Sequence, residues 1–125
     1  MKAALVLTGV MSALMLALPA MAQPQTETKQ SCFWTRDLRN HTVADSHTLY
    51  FDLAGRDVYR VDTSDSCMAG MTSTDPIVLR DRASTGRICS KMDLDISARG
   101  AHCIVSGLTK LTPEEVAAIP RRVRP

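Results

Sequence analysis

The chain has 125 residues, with 15 Lys and Arg against 13 Asp and Glu, and only 4% of its residues are aromatic. This length allows one small domain. Three of the arginines stand among the last five residues, so the basic excess belongs to the C-terminus. The rest lacks the clustered Lys and Arg, interleaved with aromatics, of a nucleic-acid-binding face, and we expect no nucleic-acid partner.

The N-terminus has the pattern of a secretory signal peptide. Lys2 precedes a long apolar run, then Pro19 and the small-residue site Ala20-Met21-Ala22. We expect cleavage after Ala22, with residues 1–22 as the signal peptide and the polar residues 23–30 as a flexible leader. Nothing after residue 22 approaches the roughly 20 apolar residues of a membrane-spanning helix. The sequence therefore predicts a periplasmic or secreted protein that does not span the membrane.

Four cysteines follow the predicted signal peptide. Their spacings are 35, 22 and 14 residues, without a C-x-x-C motif, so the pattern indicates neither a thioredoxin-like redox pair nor a zinc knuckle. An even number of cysteines in a short exported chain predicts structural disulfides. We expect two, formed by Cys32, Cys67, Cys89 and Cys103.

Two extended runs flank Gly55 in the stretch 47–62. Leu49, Phe51 and Leu53 alternate along the first run, and Tyr59 and Val61 share a face of the second. This alternation around a short glycine-containing connection predicts a β-hairpin. A polar loop over 63–75 holds Cys67, and a further strand is expected after Pro76.

A second hairpin is predicted over 87–108, with its turn at Ala98-Arg99-Gly100. A single strand before the turn would place an apolar face on Ile88, Met92, Leu94 and Ile96. A turn centred near Arg99 sets Leu94 opposite Ile104 and Asp95 opposite Cys103, which keeps the apolar residues of both strands on one side.

This register limits the disulfide pairing. Cys89 would lie about six positions from Cys103, and at roughly 3.3 Å per residue this exceeds the Cα separation of about 7 Å that a disulfide spans. Cys89 with Cys103 is thus excluded, and with it Cys32 with Cys67. We favour Cys67 with Cys89 and Cys32 with Cys103, while Cys32 with Cys89 and Cys67 with Cys103 stays open.

The C-terminal stretch LTPEEVAAIP predicts a short helix. Thr112 is the expected N-cap, Pro113 suits the first helical position and Glu115 completes a capping box, while Pro120 ends the helix after about two turns. We expect Val116 and Ile119 to dock the helix on the sheet. The fold class is thus mainly β: a small antiparallel sheet or partly open barrel-like domain over 31–120, with two disulfides, a short C-terminal α-helix and a basic tail over 121–125.

The sequence offers few candidates for chemistry. His41, His47 and His102, with Asp45, are the only set with metal-ligand character, but a transition-metal site needs three or four convergent ligands. We therefore predict no metal and no cofactor, with the three histidines as a weak alternative.

Two further sets of residues bear on catalysis. Asp93 and Asp95 could form a carboxylate pair, but Lys91 beside them favours a solvated face. Three loop serines lack the G-x-S-x-G elbow of a hydrolase nucleophile; they are Ser64, Ser66 and Ser73. We predict no catalytic residue.

Several stretches together resemble a family of small exported bacterial proteins catalogued only as a domain of unknown function. They are SCFWTRDLRNHTV, LYFDLAGRDVYRVD, SCMAG, RICSKMDLDI and HCIVSGLTKLTPEEVAAIP, and they cover essentially residues 31–120. The resemblance implies a disulfide-bonded, β-rich domain of the cell envelope. It implies no activity, ligand or catalytic residue.

These observations leave two functions from different classes. The first is a non-enzymatic exported binding or cell-envelope module with an envelope or secreted protein as partner. The second is a periplasmic metal-binding or thiol-dependent protein that uses the histidines or a free cysteine.

Overall fold

The computed structural model describes residues 31–55 and 57–125; the predicted signal peptide and leader lie outside them. Within these ranges the chain forms short strands and one helix. They are β1 (Phe33–Trp34), β2 (Leu38–Val43), β3 (Thr48–Leu53), β4 (Asp57–Thr63), β5 (Ile77–Asp81), β6 (Arg87–Ile88), β7 (Leu94–Ala98), β8 (Ala101–Cys103), β9 (Val105–Lys110) and α1 (Pro113–Ala118). Short 3₁₀ turns cover Thr35–Asp37 and Arg121–Val123.

The strands form three antiparallel sheets. The largest has the order β2-β3-β4-β9, the second β5-β7-β8, and the third is the pair β1-β6. The mainly β, antiparallel fold class is confirmed. The four-stranded sheet is open rather than closed into a barrel, with β2 and β9 as its two edges.

The predicted hairpin around Gly55 is confirmed as β3 and β4. Leu49 pairs with Val61 and Phe51 with Tyr59, and all four side chains are buried. The polar residues between them face the other side, as period-2 alternation requires. This hairpin supplies the central strands of the largest sheet.

The main core lies between the sheets. Leu49 and Val61 of the large sheet pack in one cluster with Ile88, Leu94 and Ile96, and these side chains have no exposed surface. Burying a side chain of this size stabilises the fold by roughly 1.5–3 kcal/mol relative to leaving it exposed.

The predicted β7–β8 hairpin exists, but its register is one residue away from our expectation. Ile96, not Asp95, lies opposite Cys103, and Ala98 lies opposite Ala101. The turn has two residues, Arg99 and Gly100, both with positive φ. This is the backbone of a tight hairpin whose twist matches that of its strands. Ile104, which the sequence predicts opposite Leu94, is 58% exposed.

The single strand predicted from Ile88 to Ile96 is also wrong, because a turn interrupts it. The turn lies over residues 90–93, between β6 and β7. Asp93 accepts hydrogen bonds from the backbone N–H groups of Cys89 and Ser90 at 3.0 and 2.8 Å. Met92 consequently lies in the turn and is 69% exposed, instead of joining the apolar face.

The favoured disulfide pairing is wrong, and the alternative that we left open is present. Cys32 is bonded to Cys89, and Cys67 to Cys103. The turn over 90–93 explains the difference: β6 pairs with β1 through Phe33 and Ile88, so that Cys89 lies next to Cys32. The excluded bridge between Cys89 and Cys103 does not form.

The C-terminal helix begins and ends as predicted. Thr112 caps it with a complete capping box to Glu115, and Ile119 follows its last residue. Ile119 is buried with Val58 and Leu111, and Val116 packs against this cluster. The described residues contain no helix of the length and apolar character that a membrane crossing requires.

The final residues pack against the same sheet. Thr42 of β2 donates its hydroxyl to the carbonyl of Val123 at 2.5 Å. Arg124 donates to the carbonyls of Ala117 and Ile119, each at 2.7 Å. These bonds tie the basic C-terminal residues to the helix and to β2.

Candidate functional site

The three histidines lie in separate places. The ring of His41 contacts the carbonyl of Asp75 at 3.1 Å, and the Nδ1 of His47 lies 3.1 Å from the carbonyl of Asp65. His102 lies 2.9 Å from Asp95. Among residues 31–55 and 57–125, no three His, Cys, Asp or Glu side chains are grouped to hold a metal ion.

Asp45 stabilises its own turn, because its carboxylate accepts a hydrogen bond from the backbone N–H of His47 at 2.8 Å. This local bond is an Asx-turn, the usual role of an aspartate two residues before its donor. The motif that suggested a metal site is thus explained by turn geometry.

Asp93 and Asp95, for which the sequence favours a solvated face over a carboxylate pair, have separate roles. Asp93 caps the turn over 90–93, and the hydrogen bonds from the Cys89 and Ser90 amides lower its pKa. The Oδ1 of Asp95 lies 2.9 Å from the Nδ1 of His102, but this oxygen has no well-directed hydrogen bond. Neither arrangement provides an acid and a base on one substrate.

The predicted loop over 63–75 lies over residues 64–76 in the structure, because β4 extends to Thr63 and β5 begins at Ile77, and its serines attach it to the strands. The Oγ of Ser73 accepts a hydrogen bond from the amide of Val43 at 3.2 Å, and the Oγ of Ser64 lies 3.4 Å from the carbonyl of Ile104. Ser66 lies 3.3 Å from the Nε2 of His47, a contact that the sequence did not predict. Both members of that pair are exposed, so water reaches the hydroxyl and the ring.

All four cysteines of the sequence are in disulfides, so the chain carries no thiol in this state. Cys103 is fully buried in the main core, whereas Cys32 and Cys89 are half-buried. Cys89 lies on the wall of a groove that follows β9.

We call this concave feature of the described part of the chain the β9 groove. Its volume is about 790 Å³, and residues 106–110 of β9 line it. Tyr59 and Ser31 lie at one side, where the two hydroxyls are hydrogen bonded at 2.7 Å. Cys89 and two residues of the turn over 90–93, Ser90 and Lys91, also line the groove, as does Pro113 at the start of α1.

Two lysines supply the charge of the β9 groove, and no acidic residue lines it. The ammonium of Lys110 is 2.9 Å from the carboxylate of Asp57, and this hydrogen bond raises the pKa of Lys110. The ammonium of Lys91 instead donates to the neutral carbonyl of Ser106 at 3.0 Å. The charge of Lys91 is therefore available to a ligand.

The sequence did not predict the β9 groove. Lys91 stood out only as a neighbour of Asp93, and Lys110 not at all. The groove depends on the pairing of β4 with β9, whose residues are far apart along the chain. Local periodicity carries no signal for such a pairing.

Comparisons of the chain with protein-family models, with curated proteins and with solved structures found no match.

Proposed function

We propose that this protein is a non-enzymatic binding module of the cell envelope or the secreted space. The observation that carries the proposal is that a disulfide fixes the surface beside an open groove. The bridge between Cys32 and Cys89 lies in the wall of the β9 groove. A rigid, preformed surface loses little conformational entropy when it binds a partner, which favours affinity.

The location follows from the same features. Disulfides persist in oxidising compartments, and the predicted signal peptide over residues 1–22 would deliver the chain to one. We also propose membership of the uncharacterised exported family that the motifs resemble. That membership is compatible with a binding role, since the family implies no catalytic residue.

Thiol titration and elemental analysis of protein purified from the periplasm test the class of function. We expect no reactive thiol before denaturation and reduction, and no stoichiometric metal. A free thiol or a bound transition metal in the native protein would support the metal-binding or thiol-dependent alternative instead.

Affinity capture from envelope extracts tests the binding role itself. The native protein should retain a partner in a fixed ratio, and the reduced and alkylated protein should not, because the groove wall is then no longer fixed. Retention of nothing beyond what the reduced protein retains would contradict the proposal.

A further inference from the structure

The hydrogen-bonding phase of β9 shows which of its backbone groups lack a partner strand. The amide of Leu111 donates to the carbonyl of Val58 at 2.9 Å, so these residues form a hydrogen-bonded pair. In antiparallel strands such pairs alternate with pairs whose backbone groups point away from each other. Because Tyr59 pairs with Lys110 and Val61 with Leu108, the N–H and C=O groups of Lys110 and Leu108 point away from β4.

These outward groups face the β9 groove, whose lining includes both residues. One further outward carbonyl, that of Ser106 at the bulge of β9, accepts the hydrogen bond from Lys91. A lysine on an edge strand commonly hinders pairing with another strand. Here it covers only one end of the edge, since Leu108 and Lys110 lie farther along the groove.

We propose that the β9 groove binds an extended, acidic peptide segment of a partner protein, which adds to the sheet as a fifth strand beside β9. This inference rests on the proposed binding function and names its surface and its partner. Main-chain hydrogen bonds supply affinity in such strand addition, and side-chain contacts supply specificity. The outward groups of Leu108 and Lys110 are the main-chain partners.

The acidic character follows from charge complementarity. The groove is lined by Lys91 and Lys110 and by no acidic side chain. Lys110 is already paired with Asp57, whereas Lys91 contacts only a neutral carbonyl. A glutamate or aspartate of the peptide can pair with Lys91, and this also frees the carbonyl of Ser106 for the added strand.

The length of the edge sets the size of the segment. β9 covers the six residues Val105–Lys110. Because an added strand has the same rise of roughly 3.3 Å per residue, this edge accommodates a strand of about six residues. The partner segment is therefore a short linear stretch rather than a folded face.

The first test uses an acetylated and amidated octapeptide of alternating valine and glutamate, added to the disulfide-intact protein. Amide hydrogen exchange, followed residue by residue by NMR, should slow at Leu108 and Lys110. The amide of Thr109 already bonds β4 and should change little. Absence of this alternating protection at saturating peptide, or protection confined to another surface, would overturn the proposal.

The second test exchanges the charges. Lys91→Glu should lower the affinity for the valine–glutamate octapeptide by about threefold to fivefold or more. The same change should raise the affinity for a matched octapeptide of alternating valine and lysine. Arg39→Gln, on the opposite edge strand β2, is the matched control and should leave both affinities unchanged. Lys91 is exposed, so the melting temperature of Lys91→Glu should stay close to that of the parent protein. Equal affinity of the parent for both peptides would contradict the acidic preference.

Two further outcomes separate this inference from the proposed function. If Lys91→Glu retains the envelope partner as well as the parent does, the module binds elsewhere: the β9 inference fails and the binding function stands. If sedimentation shows a dimer whose Leu108 and Lys110 amides are already protected, a second copy occupies the edge and the peptide proposal fails.

Discussion

The two edge strands of the four-stranded sheet differ in how their outward backbone groups are covered. On β2, the amide of Ala44 donates to the carbonyl of Thr48, so by the same alternation the backbone of Val43 points outward. Its N–H donates to Ser73 in the loop 64–76, which covers that edge. On β9, the outward groups of Leu108 and Lys110 face an open groove. One edge of the sheet is thus covered and the opposite edge is open, which favours the open edge as the place where a partner strand pairs.

The largest expected effect comes from removal of the bridge that holds the covering loop. Replacement of Cys67 and Cys103 together by alanine should cost about 2–5 kcal/mol of unfolding free energy, because the unfolded chain loses a cross-link. Chemical denaturation measures this cost. The Cys67→Ala change alone should cost nearly as much as the double change, since both remove the same bridge.

The position at which hydrogen exchange accelerates after a disulfide is removed also distinguishes the two edges. Loss of the bridge between Cys67 and Cys103 should speed hydrogen exchange at Val43 beyond the global effect, because Ser73 is then less firmly held. The matched control is replacement of Cys32 and Cys89 by alanine, which should disturb the β9 groove and not Val43. Equal acceleration at Val43 in both variants would argue against a covering role for the loop.

Proline substitutions on β9 test the phase of its hydrogen bonds. Thr109→Pro removes an N–H that bonds β4, whereas Lys110→Pro removes one that points into the groove. We expect Thr109→Pro to cost about 1–3 kcal/mol more in denaturation, because it leaves the carbonyl of Arg60 without its donor. The ion pair that Lys110→Pro also loses is worth only about 0–1 kcal/mol. A larger cost for Lys110→Pro would reverse the assigned phase.

A smaller effect is expected at the contact that covers β2. Ser73→Ala should cost about 1 kcal/mol, because the outward amide of Val43 loses its acceptor. Exchange at Val43 should accelerate more than that of its neighbours. Ser64→Ala is the control: its longer, exposed contact at 3.4 Å should matter less, and Val43 should be unaffected.

The smallest effect is a pH dependence of the covering loop. Hydrogen bonds from the amide and hydroxyl of Thr72, with Arg99 nearby, lower the pKa of Asp75 from its ordinary value of 3.8. The carboxylate therefore stabilises the loop fully above that value, and the contribution is lost as the pH falls toward the lowered pKa.

In Asp75→Asn, the melting temperature should no longer fall with acid through this group. The hydrogen exchange rate at Val43 should likewise lose its dependence on the charge of residue 75. Asp57→Asn, which breaks the ion pair with Lys110 on the other edge, should leave the rate at Val43 unchanged. An unaltered acid dependence in Asp75→Asn would assign the loop's pH response to other groups.

Features built from neighbouring residues were predicted from the sequence. The hairpin of β3 and β4 follows from the alternation of Leu49, Phe51 and Leu53, and the capping box of Thr112 and Glu115 marks the start of α1. Each signal lies within a few residues of the element that it specifies. Packing then confirms what local propensity already favours.

The errors arise where turn geometry and distant pairing decide. Arg99 adopts a φ of 50°, which a residue with a long side chain rarely does, so a two-residue turn was not expected there. Ile104 is apolar but lies outside the core. The prediction assumed that it was buried, and this assumption made the wrong register agree with the apolar pattern. Asp93 stabilises a turn directly after Cys89, so the strand predicted from Ile88 to Ile96 is interrupted. Because of this turn, Cys89 bonds Cys32 and not Cys67. The β9 groove could not be predicted from local patterns, because β9 pairs with β4, which is distant along the chain.

Native-state hydrogen exchange of the free protein tests the central claim most directly. If β9 is an open edge, the amides of Leu108 and Lys110 exchange much faster than that of Thr109 between them, while the outward amide of Val43 on β2 is protected by Ser73. Slow exchange at Leu108 and Lys110, equal to that of Thr109, would show that the edge is already occupied and would contradict the account.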